Sequence, residues 1–152
     1  MIYLLALLMG VVAGLRAMMP AAAVSWAGYL GVLKLDGTWL WFLGSIWAVV
    51  IFTVLAIGEL VTDQLPATPS RKVPMQFGAR VFMGAIAGIA LAGTANWLFG
   101  ALAGIVGAVI GTFGGAELRS KLAANFGKDQ PAAFIEDAIA IIGAALIVLA
   151  LK

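Results

Sequence analysis

The stretch GALAGIVGAVIGTFGGAELRSKL, residues 100–122, admits very few folds. Gly100, Gly104, Gly107, Gly111 and Gly114 recur at alternating spacings of four and three, which lines them up along one helix stripe. Leu102, Ile105, Val106, Val109, Ile110 and Phe113 clothe the other faces. In water each helical glycine costs roughly 1 kcal/mol against alanine, so this would be a poor helix. In a bilayer the backbone must satisfy its own hydrogen bonds, and helix becomes the open option. Small residues then let a neighbouring helix approach closely, where no hydrophobic force draws helices together. Glu117, Arg119 and Lys121 mark the membrane exit.

The rest of the chain agrees. At 64% hydrophobic and 11% charged residues over 152 positions, it lies outside the range of a soluble domain. The expected fold is all-α: a polytopic transmembrane helix bundle of five or six spans, one integral membrane domain over residues 1–152 with no extramembrane domain. The net charge of +2 sits in short loops, so no nucleic-acid partner is expected. Cys and His are both absent, which removes thiol chemistry, disulfides, the usual zinc and haem sites and His-based acid–base catalysis. No cofactor is expected. Membrane lipids are the expected partners, and a homo-oligomer is left open.

Residues 1–33 read in two ways. MIYLLALLMGVVAGL is about 22 Å long as a helix, short for a roughly 30 Å hydrocarbon core. It is followed by Arg16, Pro20 and a second apolar stretch, giving either one long kinked helix or two short segments meeting at Arg16–Pro20, with a break expected there because Pro20 removes a helix hydrogen bond in either case. A cleaved signal peptide is disfavoured, because there is no basic n-region and Arg16 interrupts the apolar run. Residues 39–65 form a span that opens on tryptophans and closes on Glu59 and Asp63. Residues 66–77 read as the longest loop, 78–98 as a span with Gly84, Gly88 and Ala92 in a second small-residue stripe, and 132–151 as the last span. Arg71, Lys72, Arg80, Arg119, Lys121 and Lys128 fall on one side, against Lys34 and Lys152 on the other. The positive-inside rule makes loops 66–77 and 119–131 cytoplasmic and puts the C-terminus outside, in a multi-pass membrane protein.

GLRAMMPAAA (14–23) and GARVFMGAIA (78–87) share the pattern G-x-R-x-x-M-x-A-x-A, and a glycine precedes Glu-Leu at both 58–60 and 114–118. This suggests parallel repeat halves, 1–66 and 78–152, each with an Arg followed by a Glu two apolar segments later. Charge at membrane depth costs on the order of 2.5–3.5 kcal/mol and is by default a functional hypothesis. The candidate ligand- or ion-binding residues are therefore Arg16, Glu59, Asp63, Arg80, Glu117, Glu136 and Asp137, with no catalytic residue among them. The repeat leads us to expect Arg16 and Arg80 to converge on Glu59 and Glu117 in a watered cavity. The same groups could instead be a structural clamp, with Lys121 pairing Glu117 at the i,i+4 spacing. A divalent-metal site built from Glu59, Asp63, Glu117 and Glu136 has suitable oxygen ligands but no dense acidic motif.

GLRAMMP near the start, GELVTDQLPATPSRK in the middle and IED opening the last span resemble a family of small bacterial inner-membrane proteins catalogued only as a domain of unknown function. The resemblance covers nearly the whole chain and implies an integral membrane protein of bacterial type, with no activity attached to any residue. The function expected from the residues is a small transporter or channel for an ion or small solute, with a charged site near the cytoplasmic side. The alternative is a non-catalytic lipid-binding or membrane-assembly protein. An enzyme is not expected; one acting on lipid would have to rely on carboxylates.

Overall fold

Glycine meeting backbone sets the centre of the molecule. In the computed structural model, which describes residues 1–65, 70 and 72–152, six α-helices follow one another. They are α1 (Ile2–Leu15), α2 (Met18–Tyr29), α3 (Ile46–Thr62), α4 (Pro74–Ala92), α5 (Trp97–Phe126) and α6 (Asp129–Leu149). No strand occurs among the described residues. Helices α1, α4 and α5 form the core. A Cβ on Gly104 would overlap the Gly84 carbonyl, one on Gly88 the Gly100 carbonyl, and one on Gly107 the Leu7 carbonyl. The stripe at Gly84, Gly88 and Ala92 is thus the α4 side of the seam expected from the sequence, since Ala92 packs on Gly100. Gly114 is the exception: nothing lies within 4 Å of where its side chain would be. Helix α1 has already ended opposite Thr112, beside Gly14, so no backbone remains to face Gly114.

Pairwise contacts fix the helix directions. Tyr3 meets Phe99 and Gly14 meets Thr112, so α1 runs parallel to α5. Gly88 meets Gly100 while Gly84 meets Gly104, so α4 is antiparallel to α5. Glu59 reaches Ala17 while Gly28 abuts Gly44, so α3 is antiparallel to α2. Asp137 reaches Arg16 and Gly143 abuts Val12, so α6 is antiparallel to α1. The ends of α1, α3 and α5 and the starts of α2, α4 and α6 therefore share one end of the bundle, which carries most of the charge.

Several element boundaries differ from the sequence reading, each for a local reason. Residues 1–33 contain two short helices that meet within Arg16–Pro20, as one of the two readings had it, but the break is at Arg16–Ala17 and not at Pro20 itself. Pro20 falls in the first turn of α2, where its missing N–H has no intrahelical partner to lose. The span expected over 39–65 is a 17-residue helix. Ser45 caps it by accepting the Ala48 N–H, and Trp39 and Trp41 lie before it in a turn and a short 3-10 segment. The 119–131 loop shrinks to Gly127 and Lys128. Helix α5 continues to Phe126 and stops where Gly127 takes a left-handed φ of 68°. Of the 66–77 loop, residues 74–77 already belong to α4; 66–69 and Arg71 lie outside the described residues. Three helices, α4, α5 and α6, are long and apolar enough to cross a membrane.

Candidate functional site

The break between α1 and α2 organises the charged end. Arg16 is fully buried and extended (φ −141°, ψ 113°), so the chain leaves α1 with its last carbonyls unpaired and enters α2 with its first N–H groups unpaired. Each orphaned end is answered by a charge of the opposite sign from another helix. Arg80, from the second turn of α4, donates from Nη1 to the carbonyls of Gly14 (3.0 Å) and Leu15 (2.6 Å) at the C-terminus of α1. Glu59, from the last turn of α3, accepts the N–H groups of Ala17 (2.7 Å) and Met18 (2.8 Å) at the N-terminus of α2. This is the favourable arrangement with respect to both helix dipoles. Arg80 Nη2 and Glu59 Oε1 are themselves 3.7 Å apart.

Arg16 turns the other way, toward α6 and the end of α3. Its Nε donates to Asp137 Oδ1 at 2.7 Å, and Nη2 also pairs with that oxygen. Nη1 sits 2.8 Å from Asp63 Oδ2 and 3.6 Å from Glu136 Oε2, and it donates to the Leu15 carbonyl at 2.9 Å. The Leu15 carbonyl therefore accepts from both Arg16 and Arg80. Gln64 Nε2 donates to the second Asp137 oxygen at 2.9 Å. A third arginine, Arg119 of α5, lies across the same carboxylates, 2.6 Å from Asp63 Oδ2 and 3.5 Å from Glu136 Oε2. It also forks onto both oxygens of Asp129, at 2.9 and 2.5 Å.

Six of the seven sequence candidates thus meet: Arg16, Glu59, Asp63, Arg80, Glu136 and Asp137. Glu117 does not. It projects from α5 into the open, where its only ion pair among the described residues is with Lys121 at 3.2 Å, one turn along; both side chains are about two-thirds exposed or more (67% and 71%). The expected convergence on Glu59 and Glu117 is corrected accordingly: Arg80 takes Glu59, and Arg16 takes Asp63, Asp137 and Glu136. The repeat argument misplaced Glu117 because the shortness of α1 sets the depth of Arg16. At that depth the carboxylates available come from α3 and α6, while Glu117 lies more than a turn past Thr112 on α5. The oxygen-ligand metal set loses its geometry with Glu117, and no group of three or more acidic side chains is arranged for a metal among the described residues. Arg119, Asp129 and Gln64 are participants the sequence reading missed. Arg119 and Asp129 stand either side of the Gly127 turn, and that spacing was the available signal.

A cavity of about 280 Å³ adjoins the Glu59–Arg80 pair, lined also by Ala17, Met18, Asp63 and Gln76. Arg16 and Glu117 do not line it. Glu59→Ala should strip the partners from two N–H groups and remove Arg80's carboxylate. We expect a loss of about 1–3 kcal/mol, read as a lower Tm in detergent; an unchanged Tm would show that these groups find other partners.

No curated protein and no solved structure matches this chain. The family described as "Domain of unknown function (DUF4126)" matches residues 3–151, covering the α1–α2 break and every member of the charged cluster. The chain belongs to that DUF4126 family.

Proposed function

We propose that the protein is a small inner-membrane transporter or channel for an ion or small solute, working through the Glu59–Arg80 cavity. The observation that carries this reading is the buried break at Arg16–Ala17, where the start of α2 and the opposite charges of Glu59 and Arg80 line a cavity. Irregular backbone at membrane depth is tolerated where it is buried in protein or lines a cavity, and half-helix ends of this kind serve as ion and substrate sites in transporters. Helices α1 and α2 are about 21 and 18 Å long, against a hydrocarbon core of roughly 30 Å. They form a hairpin that turns inside the membrane, beside helices that continue past it. The glycine seams leave no room for a path between α1, α4 and α5, so the route passes along α2 and α3.

Purified protein in liposomes, challenged with a broad panel of ions and metabolites, should show flux of one solute class that protein-free liposomes lack. Glu59→Gln keeps the shape but loses the charge, and should reduce that flux at least severalfold. Absence of any protein-dependent flux would leave the lipid-binding or assembly role in its place.

In this reading the charged end is cytoplasmic, since Lys72, Arg80, Arg119, Lys121 and Lys128 gather there. Single cysteines at Ser70 and Lys128 should resist an impermeant thiol reagent in intact cells and react after lysis. One at Asp36, near the other end, should react in intact cells. Labelling of Ser70→Cys or Lys128→Cys without lysis would reverse the assignment.

A further inference from the structure

Helix α3 is the least embedded of the six. Three of its seventeen residues are buried (Ala48, Val49 and Ala56), against eight of fourteen in α1. It rests on α2, and between α2, α3 and α6 lies a groove of about 520 Å³. Short side chains create it: Ala22 and Ala23 from α2, Ala56 from α3, Ala144 and Ala145 from α6. Along α6 it runs from Ile141 to Leu149, about 12 Å at about 1.5 Å per residue. That is close to the depth of one leaflet, half of a roughly 30 Å core. Two polar side chains besides the Trp26 indole line it. Thr53 Oγ1 accepts the Trp26 indole N–H at 3.1 Å, and Lys152 stands at the end away from the charged cluster.

We propose that this groove holds one acyl chain of an anionic phospholipid, in the leaflet opposite the charged cluster, with the lipid phosphate against Lys152. The apolar walls suit a hydrocarbon chain, and the groove is one leaflet deep. The cation stands at the end where a headgroup would lie, next to the exposed rings of Trp26 and Tyr29, side chains that favour the membrane interface. The chain fills space that α3 leaves open, so the lipid completes the packing of α3 on α2 and α6. This site shares no lining residue with the cavity of the transport reading, which lies between the start of α2, the end of α3 and the start of α4, and it stands or falls independently of it.

The test follows the Tm of the purified full-length protein in detergent as phosphatidylglycerol or phosphatidylcholine is added, and counts co-purified lipid by native mass spectrometry. Phosphatidylglycerol should raise Tm by several degrees more than phosphatidylcholine, and Lys152→Gln should abolish that difference. Ala145→Phe sets a ring into the groove from an exposed position. It should keep the lipid-free Tm near that of the parent, remove the shift with both lipids and cut co-purified lipid severalfold. Equal shifts from the two lipids in the parent, or a phosphatidylglycerol preference surviving in Lys152→Gln, would overturn the headgroup assignment. Unchanged lipid content and shift in Ala145→Phe would overturn the groove itself.

Discussion

Gly107→Leu, and even Gly107→Ala, should leave no stably folded protein, whereas Gly114→Ala should fold as well as the parent or better. A Cβ on Gly107 would overlap the Leu7 carbonyl oxygen and crowd the Val11 nitrogen and Gly10 Cα, all of them backbone atoms. Side chains can rotate away from an intruding methyl; a helix backbone can yield only by moving as a body. Overpacking a well-filled core commonly costs about 1–3 kcal/mol, and the cost here should exceed that range, because α1 would have to leave α5 along its length. Gly111 is in the same position against Val11. Gly114 has open space, so alanine there removes only backbone freedom from the unfolded chain, a gain of about 0.5–1 kcal/mol. Monodisperse yield on size exclusion, followed by thermal unfolding in detergent, reads both outcomes. A Gly107→Ala protein with the parent's Tm would show that α1 is not held by this seam.

Arg16→Met should destabilise the protein by about 3–5 kcal/mol, the cost of stranding a buried charge without its partner. Arg16 has no exposed surface, and its loss leaves Asp137 with only Gln64 among the contacts described above. Asp63 and Glu136 keep Arg119. For that reason Arg16→Met combined with Asp137→Leu should recover much of the loss, while combination with Asp63→Leu should recover less. Chemical denaturation of the three proteins in the same detergent gives the comparison. Equal recovery by both doubles would mean that Arg16 is shared evenly rather than held chiefly by Asp137. In liposomes the Arg16→Met, Asp137→Leu protein also separates clamp from site. Neither residue lines the Glu59–Arg80 cavity, so flux should persist wherever folding does.

The helices long and apolar enough to cross a membrane were legible in the sequence as apolar runs, and the packing seam was legible because it is periodic. Glycines at spacings of four and three fall on one face whatever lies opposite, and the matching stripe of α4 meets that face at Gly84 and Gly88. The charged residues were legible as a set, because the cost of burying any of them unpaired holds for every fold. Arg16, Glu59, Asp63, Arg80, Glu136 and Asp137 do meet. The i,i+4 pairing of Glu117 with Lys121 was legible too, since it needs one helix and nothing else.

What the tertiary structure alone decided was the depth at which each helix ends. Helix α1 stops at Leu15 while α5 runs on to Phe126, so Gly114 loses its partner and Glu117 passes beyond reach of both Arg16 and Arg80. Arg119, which reads as a membrane-exit marker, instead closes over Asp63, Glu136 and Asp129. A sequence states that a buried arginine needs a carboxylate. Which carboxylate it receives depends on the axial offset between helices far apart in the chain, and the close approach of glycine backbones sets that offset.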